Sequence, residues 1–327
     1  MRNPWLNFIR LFSVCLSLNA YSSGYEVQKY NKFFNVTADY FQSADTTIEP
    51  TKQSTIIAPG AKIQLVSNQF KFTEGPAANK KGVVFFTDQP NDKIWKYDTD
   101  GKLSVFLDKT GRSNGMYFDS KGNLISCADE KNELWSIKPS GKVTVLLKDV
   151  NGARLNGPND LWIDAKGGIY FTDPYYQRAY WDRKAPEIKG QNVYYLPKGK
   201  KEAIIVDSNL QQPNGIIGVR DGSYLYVADV RARKTYRYAI STDGRLKDRQ
   251  LFVEQGSDGM AIDNKGNIYL TGNGVTVYNS EGKKIEQIVL PSRGTTNMCF
   301  GGKNKNLLFI TATESVYTLQ MQVKGAE

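Results

Sequence analysis

One phrase returns six times along this 327-residue chain. An apolar pair leads through a polar turn built on Lys-Gly or Asp-Gly into an apolar strand, which ends on Thr or Ala followed, in four copies, by Asp. The strand ends fall at Asp88 (VVFFTD), Asp129 (LISCAD), Asp173 (IYFTD), Asp229 (LYVAD), Gly272 (IYLTG) and Ala312 (LLFITA). Their spacings of 41, 44, 56, 43 and 40 residues match the length of a four-stranded propeller blade. The long interval has a visible cause: residues 174–192, PYYQRAYWDRKAPEIKGQN, form an aromatic and charged insertion between two strands of the third copy.

Each copy continues with a strand of period-two alternation, such as Lys93-Ile94-Trp95-Lys96-Tyr97 or Glu133-Leu134-Trp135-Ser136-Ile137,. Another follows a glycine turn, as at Ser104-Val105-Phe106-Leu107. No helical periodicity longer than two turns competes, so the expected fold class is all-β: a six-bladed β-propeller with four-stranded blades around a central channel, spanning residues 59–322. An open edge strand invites unwanted pairing. The segment 62–66 is therefore expected to pair with 316–319 in the sixth blade and close the ring, with residues 23–58 as an irregular lead-in.

Fourteen or fifteen residues before each strand end stands a side-chain oxygen donor: Glu74, Asn114, Asn159, Asn214, Asp258 and Asn297. Taken singly, an Asn-Gly or Asp-Gly pair shapes a turn. Registered in all six copies, and entering the innermost strand of each blade, these residues converge on one end of the channel. Two carboxylates and four amides without imidazole or thiolate make a site for a hard divalent cation. Ca²⁺ fits best; Mg²⁺ prefers a smaller octahedral cage, and Zn²⁺ normally recruits nitrogen or sulfur.

Histidine is absent from the chain, which excludes Ser-His-Asp and Cys-His nucleophiles and histidine-ligated zinc. Gly111-Arg112-Ser113-Asn114-Gly115 spells a nucleophile-elbow pattern, but that motif needs a strand-turn-helix setting and a histidine partner. The net charge of +10 is spread over turns such as Lys80-Lys81 and Lys198 to Lys201, with no run of five. It reads as solvated surface, and no nucleic-acid partner is expected.

Arg2 and Arg10, the apolar run Leu11 to Leu18 and the small residues Ala20 to Ser23 outline a signal peptide over residues 1–22, hence export to the periplasm or the medium. The run is too short to span a bilayer, and no later segment is long and apolar enough. Cys15 sits inside this run rather than after it, against lipidation. Cys127 and Cys299 fall in strands of widely separated copies and are expected as core thiols,.

The segments APGAKIQLV, FKFTEGPA, RLNGPNDLWID with GGIYFTDPYY, PNGI with YVAD, and SDGMAID stand in an order and spacing that resembles the regucalcin (senescence marker protein)/gluconolactonase family, over roughly residues 57–320. The resemblance implies metal ligands at Glu74, Asn159, Asn214 and Asp258, with Asp258 also the catalytic acid/base. Arg154 is similar to an arginine that contacts the sugar lactone in some members, and Asn114 and Tyr175 are the other candidate substrate contacts. Many bacterial relatives carry a histidine and paired arginines after the second repeated strand, where this chain reads Ala128-Asp129-Glu130-Lys131-Asn132, a departure that bears on substrate identity. Tyr175, Tyr176 and Trp181 of the insertion are candidates for a lid.

The expected function is that of a monomeric, cation-dependent hydrolase opening a sugar lactone, the cation polarising the carbonyl and Asp258 activating water. A different class shares the fold: a non-catalytic propeller, stabilised by Ca²⁺, that binds a glycan or protein at its channel face.

Overall fold

The computed structural model describes residues 54–326; the expected signal peptide and most of the lead-in lie outside them. The repeated phrase becomes six antiparallel four-stranded sheets, with one further two-stranded hairpin at Asp149–Val150 and Ala153–Arg154. The innermost strands of blades 1 to 6 are Thr73–Ala78, Ser113–Phe118, Leu161–Ile163, Pro213–Gly218, Met260–Ile262 and Thr295–Gly301. Among the described residues the helical content is a single 3₁₀ turn, Gln89–Asn91.

The polar turn of the repeat works by local chemistry. In five places an Asp or Asn carboxyl or amide oxygen accepts the backbone N–H two and four residues on, as at Asn79, Asp98, Asp119, Asp263 and Asn279. Such side-chain acceptors satisfy turn amides that no ladder reaches. The Asp at the strand end has a different task. Asp88 accepts from the amides of Lys71 and Phe72, Asp173 from Asn156 and Gly157, and Asp229 from Gln211 and Gln212. In each case the carboxylate pins the loop that delivers the innermost strand of its own blade.

Closure follows the expected route. Gln64–Ser67 forms the outermost strand of blade 6 and runs antiparallel to Ser315–Gln320, with Gln64 opposite Thr318 and Leu65 opposite Tyr317. Large side chains fill the wedges between blades, and Phe86 of blade 1 meets Phe309 of blade 6 at 5.3 Å between ring centroids. Cys127 and Cys299 are buried in the core as thiols and not as a disulfide, as expected. Ser113 is fully buried inside a strand, its hydroxyl donating to the Thr110 carbonyl at 2.8 Å, so the elbow-like motif is a strand and not a nucleophile.

Candidate metal and catalytic site

Four of the six ring residues are followed by glycine, and the structure gives the reason. A Cβ on Gly75 would lie 2.1 Å from the Asn114 carbonyl, on Gly115 2.5 Å from the Asn159 carbonyl, on Gly215 3.0 Å from the Asp258 carbonyl, and on Gly259 2.0 Å from the Asn297 side chain. Each glycine lets the next blade's ring residue come against its own strand. Glycine is the residue that permits such close backbone approach. Threonines of the repeat complete the spacing: Thr87 donates to the Asn114 carbonyl at 3.3 Å and Thr172 to the Asn214 carbonyl at 2.8 Å.

Glu74, Asn114, Asn159, Asn214 and Asn297 are buried, whereas Asp258 keeps part of its surface open. Asn214 donates through Nδ2 to Asp258 Oδ1 at 2.7 Å. Glu74 and Asp258 interact directly: burial, then the Asp258 charge, push the Glu74 carboxyl well above the usual range. Burial likewise pushes Asp258 up to about 6, against the hydrogen bond from Asn214. Two carboxylates desolvated together resist double ionisation. Asp258 opens on a cleft of about 540 Å³ between blades 4 and 5, also lined by Arg233, Gln255 and Asn273.

Asp160 is a member of this constellation that the ring pattern does not predict. Its Oδ2 accepts from Asn297 Nδ2 at 3.4 Å, it raises the Glu74 carboxyl, and burial pushes its own carboxyl up to about 8. A signal was present: Asp160 occupies the place that blades 1, 2, 4 and 5 give to glycine. The Asn159 carbonyl accepts the Gly115 amide at 2.7 Å and so ties blade 3 to blade 2.

Among the described residues no three carboxylates, thiolates or imidazoles gather as a metal cluster. The candidate donors are two carboxylates and amide oxygens. Two of those amides fit the role: Asn114 Oδ1 and Asn214 Oδ1 are buried acceptors without a hydrogen-bond partner. A buried acceptor left unsatisfied costs about 1–3 kcal/mol, and a cation beside them would remove that cost together with the repulsion between Glu74 and Asp258.

The third-blade insertion reaches the ring through Tyr176, not Tyr175. The Tyr176 hydroxyl accepts from Asn214 Nδ2 at 3.1 Å, and the Arg178 guanidinium lies over its ring at 5.5 Å. Tyr175 instead bonds Gln177 through its hydroxyl at 2.5 Å. Arg154 is held by ion pairs to Asp182 at 2.9 Å and Glu187 at 2.6 Å, which fasten the insertion at its base. Trp181 is buried, its indole N–H donating to the Asp129 carbonyl at 2.8 Å. Asp129 also pairs with Arg178 at 3.1 Å and accepts from the Tyr180 hydroxyl, so the segment is a fixed cover. Asp129→Ala is expected to loosen it, so that limited proteolysis cuts sooner within 174–192.

Fold and site together define a class: a closed six-bladed propeller with an oxygen-donor pocket at one mouth of its channel. The chain belongs to the SMP-30/gluconolactonase/LRE-like family, whose model matches residues 72–314. It is 26% identical over 302 residues to the gluconolactonase of Zymomonas mobilis, covering 83% of this chain and 84% of that one. It is 27% identical over 251 residues to lactonase drp35 of Staphylococcus saprophyticus, 72% and 71% being covered. The structure of a gluconolactonase from Xanthomonas campestris superposes with a TM-score of 0.76 at 27% identity, over 81% of this chain and 91% of that chain. Regucalcin of Agrobacterium tumefaciens, a calcium-binding protein, shares the fold with a TM-score of 0.68 at 20% identity, over 81% and 95%.

Proposed function

We propose that this chain is a lactone hydrolase of the gluconolactonase type, acting on a sugar lactone bound in the cleft onto which Asp258 opens. The observation that carries the reading is the contact between Asp258, Glu74 and Asn214 beneath the Tyr176 hydroxyl, in a chain whose relatives include gluconolactonases and lactonases.

Glu74, Asn159, Asn214 and Asp258 would hold one divalent cation, Ca²⁺ in preference to Mg²⁺ or Zn²⁺ because every donor is oxygen. Such a cation supplies Lewis-acid polarisation of a carbonyl oxygen. Asp258 is the group with open surface, which places it to act as general base toward a bound water,. It takes a proton from the water that attacks the lactone carbonyl and returns it to the ring oxygen as the C–O bond breaks, leaving the hydroxy acid. Asn214 fixes the carboxylate from one side. Tyr176, bonded to the same Asn214 amide, and Arg178 over its ring would form a wall beside Asp258 that orients the sugar hydroxyls and limits water,. Arg154 and Tyr175 act one layer out, as supports of that wall, and Asn114 adds an amide oxygen to the ring. Export rests on the pattern of residues 1–22,. Among the described residues no helix is long and apolar enough to cross a membrane.

The test is hydrolysis of δ-gluconolactone by the purified chain, beside the uncatalysed reaction, before and after EDTA treatment and with Ca²⁺ restored. Turnover that falls at least about 100-fold with EDTA and returns with Ca²⁺ is expected. Full turnover in EDTA would refute the cation, while thermal stabilisation by Ca²⁺ with no turnover of any sugar or acyl lactone would favour a non-catalytic binding propeller.

A further inference from the structure

A second cavity, of about 920 Å³, opens at the other end of the same innermost strands. Asn114 lies at the start of its strand in blade 2 and Asn159 just ahead of its strand in blade 3, whereas the cavity begins where those strands end, at Tyr117, Phe118 and Ile163. Four extended residues separate such points by roughly 13 Å. This cleft is therefore distinct from the carboxylate site. Part of its wall is apolar: Tyr117, Phe118, Ile163 and Leu146 are half-buried and line one space.

The rim is cationic. Lys121, Lys198, Lys200 and Arg220 are exposed, and none takes part in an ion pair among the described residues. Lys80, Lys201 and Lys305 also line it, their ammonium groups turned to the main-chain carbonyls of Ser120, Leu146 and Asn79. Two carboxylates are present, and both are engaged in their own turns. Asp119 accepts from the amides of Lys121 and Asn123, and Asp164 from the Gly168 amide and the Tyr195 hydroxyl. The aliphatic stem of Lys198 passes over Gly167, where an added Cβ would meet its Cδ at 3.0 Å.

We propose that this cleft binds a small organic anion with an apolar or aromatic body, its hydrocarbon part against Tyr117, Phe118 and Ile163 and its carboxylate at the lysine rim. A concave space of this size with apolar walls and a few convergent charges is the usual form of a small-ligand site. Unpaired cations around a low-dielectric wall focus the field on an entering anion. A polymeric anion would call for a continuous basic stripe, and the sequence has no run of five cations.

The probe is 2-naphthoate, titrated by calorimetry into the full chain in Ca²⁺ and again in EDTA, with neutral 2-naphthamide as its control. One saturable site is expected, with Kd below about 1 mM, the same with and without Ca²⁺ and the same in Asp258→Asn. The amide binds about tenfold more weakly, and the triple change Lys121→Gln, Lys198→Gln, Arg220→Gln weakens naphthoate by about the same factor while leaving the amide unaffected, as the loss of three exposed charge contacts implies. Ile163→Asp abolishes binding of both. Should the triple variant melt early, Arg220→Gln alone carries the test with about a threefold loss. Absence of saturable binding, equal affinity for acid and amide, indifference to the rim changes, or loss in Asp258→Asn would each overturn the proposal.

Discussion

Asp258→Asn is expected to lower kcat/KM for a lactone by about 10³-fold, within the range that a positioned general base contributes. The isosteric amide keeps an oxygen for the bond that Asn214 now donates at 2.7 Å, so that contact survives, while proton transfer and one anionic donor to the cation are lost. The same change removes one of two buried charges that oppose each other beside Glu74. Loss of activity should thus come without loss of stability in the cation-free protein, which thermal melting in EDTA will check. A drop in melting temperature matching the drop in rate would mean that Asp258 is structural.

The pH dependence has a definite sign. In the cation-free protein burial raises both Glu74 and Asp258, the latter to about 6. Groups whose folded value lies above the unfolded one favour the fold at low pH and lose that contribution as pH rises through the folded value. A cation demands the ionised forms, so protons compete with it. Ca²⁺ affinity should fall by about tenfold for each pH unit below 6 per proton displaced. The melting-temperature gain on adding Ca²⁺ should accordingly be small at pH 5 and large at pH 7.5. A gain independent of pH would place the ion elsewhere.

What the sequence made legible is what local chemistry dictates. The Asx turns, the strand-end Asp and the alternating strands act within one blade, and their repetition revealed blade count, strand order and the closing strand. The ring was legible for the same reason, since register within a repeat fixes which residue faces the channel. Asp160 was missed because its significance lies in breaking the glycine rule, and that rule concerns contact with the neighbouring blade. The insertion was harder. Its anchors join residues 49 to 52 positions apart, from Asp129 to Arg178, Tyr180 and Trp181. No periodicity tells which of two adjacent tyrosines turns inward, and the choice of Tyr176 over Tyr175 is made by Asn214 on the next blade. Within the stretch Ala128 to Asn132, Asp129 is thus the seat of the cover, a role visible only once its partners are in place.

Gly75→Ala should damage both fold and site. The residue has φ +47°, and an added Cβ would lie 2.1 Å from the Asn114 carbonyl oxygen and 2.7 Å from Gly115 Cα. These are backbone atoms of the adjoining blade, which no rotamer change can withdraw. The left-handed conformation costs a non-glycine residue about 1–2 kcal/mol, and forcing atoms into close-packed surroundings adds roughly 1–3 kcal/mol. Gly60 isolates the first of these terms, since it has φ +72° with nothing within 4 Å of a Cβ. Urea denaturation should find Gly75→Ala destabilised by about 2–5 kcal/mol and Gly60→Ala by about 1–2 kcal/mol. Relief of the clash must push blades 1 and 2 apart at Gly75 and Asn114, next to Glu74, so the variant should also lose its stabilisation by Ca²⁺. Equal costs at the two glycines would mean that the glycine after each ring residue serves only its own backbone, and the account of how neighbouring blades bring their oxygens together would fail.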